Sequence, residues 1–458
     1  MVMPDCRRLR ALLEWLEAGL LERQAAVRLT LLAALAGEHV LLIGPPGTAK
    51  SELARRLHRV FAGTRYFERL LTRFSTPEEL FGPLSLRALE DDRYERLTDG
   101  FLPTAGIAFL DEVFKANSAI LNALLTLLNE REFDNGSGRA RVPLISVVGA
   151  TNDVPDDEAL QAFHDRFLLR VPVAPVRDAS FPALLALPAG EPAVQARITT
   201  ASLEPLRERA RMVLLPDDVL GLLVDMRAWC AAQAVTVSDR RWRKLVGLLQ
   251  VQAASRGQPA VQAWDLWLLP FALCSRPGQV DALVEWFLHT VAQAQALDLQ
   301  WLTRAVEAFD KQLGIEAAAQ SVEGDDAAGK LALARAIGGE DAGKDNALLR
   351  IVSDLALRRY SQVHVDARLA QVDEALQRAN ATWHAARATG QQAMAGADAH
   401  LWLPPSWRAR IAAVHRSNEA LAGALVAQLQ AVHRGFAQLP VDDAVAAGGT
   451  PAPMVVAP

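Results

Sequence analysis

The stretch Leu41 to Leu57, LLIGPPGTAKSELARRL, limits what this chain can be more than any other: an apolar run breaks at a Gly/Pro loop, and a Lys-Ser pair opens a helix. Closely spaced glycines let backbone N–H groups approach a phosphate, and the N-terminus of the next helix adds positive potential. On this reading Gly44, Pro45, Pro46, Gly47, Thr48 and Ala49 cradle the phosphates of ATP, Lys50 reaches its β- and γ-phosphates, and Ser51 holds Mg2+. The strict form of the loop has glycine just before the lysine, where this chain has Ala49. The plainer alternative is a Gly/Pro turn between a buried strand and a helix.

A second apolar run, Gly106 to Leu110, ends in Asp111 and Glu112. An open α/β sheet puts its chemistry at the C-terminal ends of its strands. There Asp111 would stand by the Mg2+ ion, and Glu112 would orient and deprotonate the attacking water. Two acids at a strand end also suit a solvated helix start, but the loop upstream reinforces the chemical reading. Pro143 to Ala150 reads as another buried strand, ending in Thr151, Asn152 and Asp153. An amide at its tip can bond the γ-phosphate or the lytic water, or simply serve as an N-cap or Asx turn. Further on, Asp165 to Leu169 places Arg166 at the end of a short helix.

The bulk numbers narrow the partners. With 458 residues, 51% hydrophobic and 22% charged, there is room for roughly three domains. A formal charge of −5 offers no basic field, so nucleic acid is not an expected partner. Cys6, Cys230 and Cys274 stand too far apart for a disulfide framework or a compact zinc motif. No run reaches about 18 apolar residues and the N-terminus lacks an apolar segment before a cleavage site, so no membrane span and a cytoplasmic location are expected.

Leu9 to Ala36 reads as two helices broken near Gly19, followed by a strand from His39 to Ile43; Phe67 to Phe74 reads as a strand and Gly82 to Gly100 as a small hairpin insertion. Asn117 to Phe133 is an amphipathic helix, and Arg139 and Arg141 follow the turn Asn135 to Gly138. Two arginines without interleaved aromatics are a weak nucleic-acid signal, and solvated hairpin charges are the simpler reading. Asp217 to Leu269 is helical, with Trp229, Trp242, Trp264 and Trp267 read as packing, not as a base-stacking platform. After Gly278 come three long helical stretches, Val280 to Leu313, Asn346 to Thr389 and Ser406 to Leu439, joined by the surroundings of EGDDAAGK and by Gly390 to Pro405 with its LWLPPSW. Rows such as Leu348, Ile351, Leu355 and Val365, Leu369, Val372, Leu376 fit an elongated antiparallel three-helix bundle, while the tail from Val441 reads as disordered.

GPPGTAKS, IAFLDE, LNALLTLLNERE, VVGATN and HDRFLLRV follow one another as in AAA+ ATPases of the MoxR family, which the chain resembles from about residue 15 to residue 280. TRFSTPEELFGPLSL, YERLTDGFLP and VSDRRWRKL are most similar to the RavA subgroup, the regulatory ATPase variant A proteins, whose loop is similar at Ala49 too. With the helical pattern, the resemblance implies an α/β AAA+ P-loop core, a parallel sheet flanked by helices, over residues 1–205. An α-helical lid over 206–279, an elongated three-helix bundle arm over 280–440 and a disordered tail over 441–458 complete the expected domains.

The same resemblance implies roles. Lys50 and Ser51 match the Walker A pair, Asp111 and Glu112 the Walker B pair, and Asn152 the sensor-one asparagine. Arg166 matches the arginine finger that acts on a neighbour's ATP, worth about 10³ to 10⁵ in rate in related NTPases. An ion pair with Asp165 is the bland use of Arg166. Arg240 matches the sensor-two arginine that closes the lid onto the γ-phosphate, with Arg241 as the alternative, because one residue of register decides which faces the nucleotide. The implied assembly is a homo-hexamer whose ATP hydrolysis drives chaperone-like remodelling or maturation of a partner, one with a von Willebrand factor A domain. RavA proteins also dock onto an inducible lysine decarboxylase through a β-rich domain set between helices. The joints here, roughly 30 and 16 residues, are too short and too rich in Gly and Ala for one, so that docking is not expected. A nucleotide-gated scaffold without motor work, and a DNA motor of the same branch, stay open as alternatives.

Overall fold

A computed structural model describes residues 6–136, 138–155, 157–188, 197–317, 360–441 and 451. The chain divides into two compact units, Met1–Gln293 with Ala395–Ala409, and Ala294–Met394 with Arg410–Pro458.

In the first unit, α1 (Cys6–Glu17) and α2 (Gln24–Ala36) precede β1 (Val40–Ile43), and α3 (Lys50–Val60) follows it. Gly19, at φ 74°, makes the expected break between α1 and α2. The sheet is completed by β2 (Tyr66–Leu70), β3 (Ile107–Asp111), β6 (Ser146–Thr151) and β7 (Leu169–Pro172). Between them, α4 (Ser118–Glu130) leads into the antiparallel hairpin of β4 (Glu132–Asn135) and β5 (Gly138–Arg141), and α5 (Glu158–His164) precedes β7. The strand order is β2-β3-β6-β1-β7, all parallel. Central β1 and β6 are buried at every residue, which is why their sequences are continuous apolar runs without alternation. The register puts Val40 beside Val148 and Leu169 at one edge, and Ile43 beside Thr151 and Pro172 at the other. Asp111, paired with Leu70, ends β3 at that second, C-terminal edge. The insertion expected as a hairpin between Gly82 and Gly100 holds a short helix, Leu86–Glu90, and a single antiparallel bridge from Leu84 to Arg96.

The lid helices are α6 (Leu203–Arg211), α7 (Asp217–Ala232), α8 (Asp239–Ser255) and α9 (Val280–Thr290). Ser238 caps α8 by accepting the Arg241 N–H, which fixes the register of that helix start. Trp267 is fully buried and Trp264 meets Phe287 edge-on at 6.0 Å, so both serve packing. The unit also takes in residues 395–409 from far along the chain. Trp402, wholly buried, donates from Nε1 to Ser255 Oγ at 2.9 Å, and His400 reaches Asp265 Oδ1 at 3.1 Å. Arg28 Nη1 donates to the Leu401 carbonyl at 2.6 Å, and the Trp407 ring lies against Trp267, Phe271 and Phe287. The expected boundary at residue 280 therefore differs from the packing: α9 and residues 395–409 belong with the lid.

In the second unit a helix over residues 300–317, most of α10 (Gln362–Ala399) and α11 (Pro405–Ala437) share one apolar core. Leu302, Phe309, Val365, Val372, Val426, Leu429 and Phe436 lie within it, so the second expected row packs as a bundle seam should. The single helix expected from Val280 to Leu313 is broken: α9 stops at Thr290, Gln293 takes φ 49°, and Asp298 Oδ1 accepts the Gln300 N–H as the next helix begins. α10 runs through Gly390, where a Cβ would stand 3.2 Å from His415, and the joint to α11 shrinks to residues 400–404. The row Leu348, Ile351, Leu355, the EGDDAAGK joint and the tail after Val441 lie outside the described residues, apart from Pro451. Among the described residues no helix is long and apolar enough to cross a membrane.

Candidate nucleotide site

The loop leaves the sheet clamped on both sides. Gly44 N donates to Thr151 O at 3.0 Å, and Val173 N donates to Ile43 O at 2.7 Å. A Cβ on Gly44 would come within 2.0 Å of the Val173 carbonyl oxygen, so the position admits glycine alone. Gly47 holds φ 77° with open space where a Cβ would be. Ala49 holds φ 65° and ψ 26°, a left-handed conformation that costs a non-glycine residue about 1–2 kcal/mol. The departure from the strict loop is thus a strained alanine in the geometry glycine would take, and the loop keeps its course.

Lys50 is 7% exposed, and its Nζ donates to the carbonyls of Gly44 and of Pro45, the latter at 3.1 Å. Burial lowers its pKa from the usual lysine value, while the nearby Asp111 and Glu112 hold it up. Asp111 Oδ1 accepts the Glu112 N–H at 3.0 Å. Glu112 sits at φ 52°, ψ 44°, and Asn152 Nδ2 donates to its Oε1 at 2.6 Å. Lys115 Nζ lies 3.3 Å from the other carboxylate oxygen. Asn152 follows β6, the strand between the one that carries the acids and the one that carries the loop. Lys50, Asp111, Glu112 and Asn152 therefore gather at one edge of the sheet, as chemistry on a triphosphate requires.

The donor set suits Mg2+. Ser51 in the first turn of α3 and Asp111 supply hard oxygens, and this ion takes one or two protein ligands beside phosphate oxygens and water. Among the described residues no group of three or more His, Cys, Asp or Glu is placed to hold a metal ion.

The arginines stand elsewhere. Arg166 lies three residues before Leu169, which pairs with Val40 at the start of β1. Four strand residues at about 3.3 Å each separate that edge from the loop. Asp165 does not pair with Arg166: its Oδ1 takes Arg241 Nη1 at 3.0 Å and Arg170 Nη2 at 3.5 Å. Arg166 Nε is buried without a hydrogen-bond partner among the described residues. Arg241, 3% exposed, spends its guanidinium on Ala272 O, Asp165, Phe167 O and Leu168 O. It is a structural bolt and has no donor left for a phosphate. Arg240 is exposed, and its Nη2 donates to Asn129 Oδ1 at 2.8 Å, next to Leu128, whose carbonyl meets the His39 ring just before β1. Arg240 thus also lies at the N-terminal edge, which does not fit closure onto the phosphates held by Lys50 of the same chain.

Sequence reasoning missed Arg23. This buried side chain donates to Thr48 O at 3.1 Å and to Ala174 O at 2.6 Å, bracing the loop from the start of α2. A lone arginine before a helix carries no local signal of that use.

Comparison with known proteins bears on the family and the fold. Residues 7–207 match the family model described as the MoxR domain in the MoxR-vWA-beta-propeller ternary systems, and residues 218–287 match an AAA lid domain. An uncharacterized protein of Methanocaldococcus jannaschii is 41% identical over 263 residues, 57% of this chain and 69% of the relative. Chaperone MoxR1 of Mycobacterium tuberculosis is 30% identical over 148 residues, 31% of this chain and 38% of that protein. A crystal structure from Cytophaga hutchinsonii, described as a candidate ATPase, matches with a TM-score of 0.50 over 62% of this chain and 94% of that chain, at 15% identity, a likeness of fold.

Proposed function

The chain belongs to the MoxR family of AAA+ ATPases, and on that premise we propose that it hydrolyses ATP in a homo-oligomeric ring, a hexamer by family resemblance, to remodel or mature a partner protein. The observation that carries this reading is the split of the charged set across the sheet. Lys50, Asp111, Glu112 and Asn152 meet at the C-terminal edge, whereas Arg166 and Arg240 lie at the other. An arginine there serves the phosphates only of a neighbouring copy.

In such a site Lys50 draws the β- and γ-phosphates, and a Mg2+ ion held by Ser51 and Asp111 would neutralise their charge. Glu112 accepts the proton of the attacking water, and Asn152 orients that carboxylate through the bond at 2.6 Å. Arg166 of the next subunit stabilises the transition state, and Arg240 lends a second cation. The description of the matched family supports a partner with a von Willebrand factor A domain, and the chaperone relative supports remodelling as the use of the energy. Placement near the RavA subgroup rests on the motif pieces around residues 72–103 and 237–245 alone.

A DNA motor is disfavoured by the hairpin. Arg139 faces Glu130, Glu132 and Asp134, with its Nε 2.7 Å from Asp134 Oδ1, so the turn offers no unopposed positive charge at that residue. The test is turnover per subunit across a concentration series, read with light scattering in ATP. Rings that form with ATP and turnover that climbs with concentration are expected; a monomer with full, concentration-independent turnover would overturn the reading.

A further inference from the structure

Arg241 makes several of the bonds that fasten the lid to the loop that carries Arg166. Arg241 enters from the first turn of α8 and bonds the Asp165 carboxylate at 3.0 Å, the Phe167 carbonyl at 2.7 Å and the Leu168 carbonyl at 3.0 Å. Those three acceptors bracket Arg166 on both sides. Arg241 Nε meanwhile donates to Ala272 O, at 2.6 Å, in the lid's short helix Leu269–Leu273, anchoring the side chain on the lid side. Arg170 completes the joint, donating to Cys274 O at 2.8 Å and reaching Asp165 from β7. Burial, then the neighbouring Arg241, pushes the Arg170 pKa down to about 9, so this carboxylate is shared by two crowded cations. Both guanidinium groups are buried while Asp165 is only partly so, and removing the carboxylate leaves two buried cations uncompensated.

We infer that Arg241 is a positioning residue for Arg166: by gripping the chain on either side of the finger it makes lid and finger one rigid piece, so that lid motion sets the finger's approach to the neighbour's ATP. This rests on the trans reading of Arg166. Arg240, adjacent on the same helix turn and exposed, rides on the same piece. Lysine at position 241 keeps the charge but lacks the planar fork that serves several acceptors at once.

The test mixes subunits. Arg241→Lys and Asp165→Asn each lower kcat by about tenfold or more, a fraction of a full arginine-finger effect, and leave the KM for ATP unchanged because each subunit still binds nucleotide through its own Lys50. Mixed with Glu112→Gln subunits, whose Arg166 is correctly held, each regains turnover, since the intact Glu112 of one copy meets a well-placed finger of the other. A mixture of Arg166→Ala with Glu112→Gln is the control. Control and both test mixtures regaining turnover supports the inference. A control that recovers while neither test mixture does overturns this inference and spares the trans finger. A control that fails overturns the trans finger and this inference with it. Should Arg241→Lys prove unfolded by circular dichroism, Asp165→Asn, whose residue is only partly buried, carries the decision alone.

Discussion

Asn152 donates to Glu112 through a 2.6 Å hydrogen bond that joins the tip of β6 to the end of β3, so the residue expected to sense phosphate also holds the expected base. Glu112 has a left-handed backbone as well, at φ 52°, which a looser site would relax. Glu112→Gln is expected to keep ATP binding and lose about 10² to 10⁴ in kcat, the usual worth of a general base. Asn152→Ala frees the carboxylate and should lower kcat with little change in binding. Lys50→Ala should abolish binding itself. Fluorescent-nucleotide titration beside steady-state turnover separates the three; normal turnover in Glu112→Gln would remove the assignment.

Ala49 predicts an asymmetry between two small substitutions. At φ 65°, Ala49→Gly relieves left-handed strain of about 1–2 kcal/mol but adds roughly 0.4–1 kcal/mol of unfolded-state entropy, so stability shifts upward by no more than about 1.6 kcal/mol. Ala49→Val puts a β-branched residue where that conformation is an outlier, and should lose both stability and ATP binding. Thermal melts with and without nucleotide read both. Equal melting of the valine variant and the parent would mean that the loop has another conformation.

His164 gives a pH dependence with a definite sign. Burial, and then Arg170 and Arg241, push its pKa from 6.5 to about 3, and its Nε2 is buried without a partner among the described residues. The unfolded chain takes up a proton near pH 6.5 while the folded chain stays neutral, so this contribution is complete above that pH and drains away as pH falls toward 3. At pH 5 the loss from His164 is about 2 kcal/mol. His39, fully buried, accepts the Val147 N–H at its Nδ1, must likewise stay neutral and adds in the same direction. Melting midpoints between pH 8 and pH 5 should fall less steeply for His164→Gln than for the parent. Parallel slopes would show that His164 already titrates normally in the folded state.

What could be read in advance follows from how far apart the cooperating residues are in sequence. The loop, the acid pair and Asn152 each sit at the end of their own buried strand, so a local pattern of apolar run and polar tip located all of them, and the sheet order brought them together. Arg240 and Arg241 could not be told apart, because the N-cap bond from Ser238 decides which of two neighbours turns inward. Gly390 opens a joint in the sequence pattern, yet α10 continues through it and His415 packs closely there. Arg23 and the segment 395–409 depend on contacts across the chain, such as His400 to Asp265, that no window of sequence contains.

That last contact changes what a truncation should do. A chain cut after Gln293 loses Trp402 from the lid, along with Trp407 against Trp267 and Phe271, and removing a buried aromatic costs about 3–5 kcal/mol. It also strips His400 from Asp265, which keeps Arg256 at 2.7 Å but loses a buried donor. Such a chain is expected to melt lower and to lose basal turnover by instability, not by loss of chemistry. Replacing residues 294–394 by a long Gly/Ser linker and ending the chain at Ala409 keeps the first unit whole, and should preserve both its melting and its basal ATP hydrolysis while removing whatever the bundle binds. Trp402→Ala in the full chain reports on the same packing without any truncation and should lower the melting midpoint in step. If the chain ending at Gln293 melts and turns over like the parent, residues 395–409 add nothing to the lid.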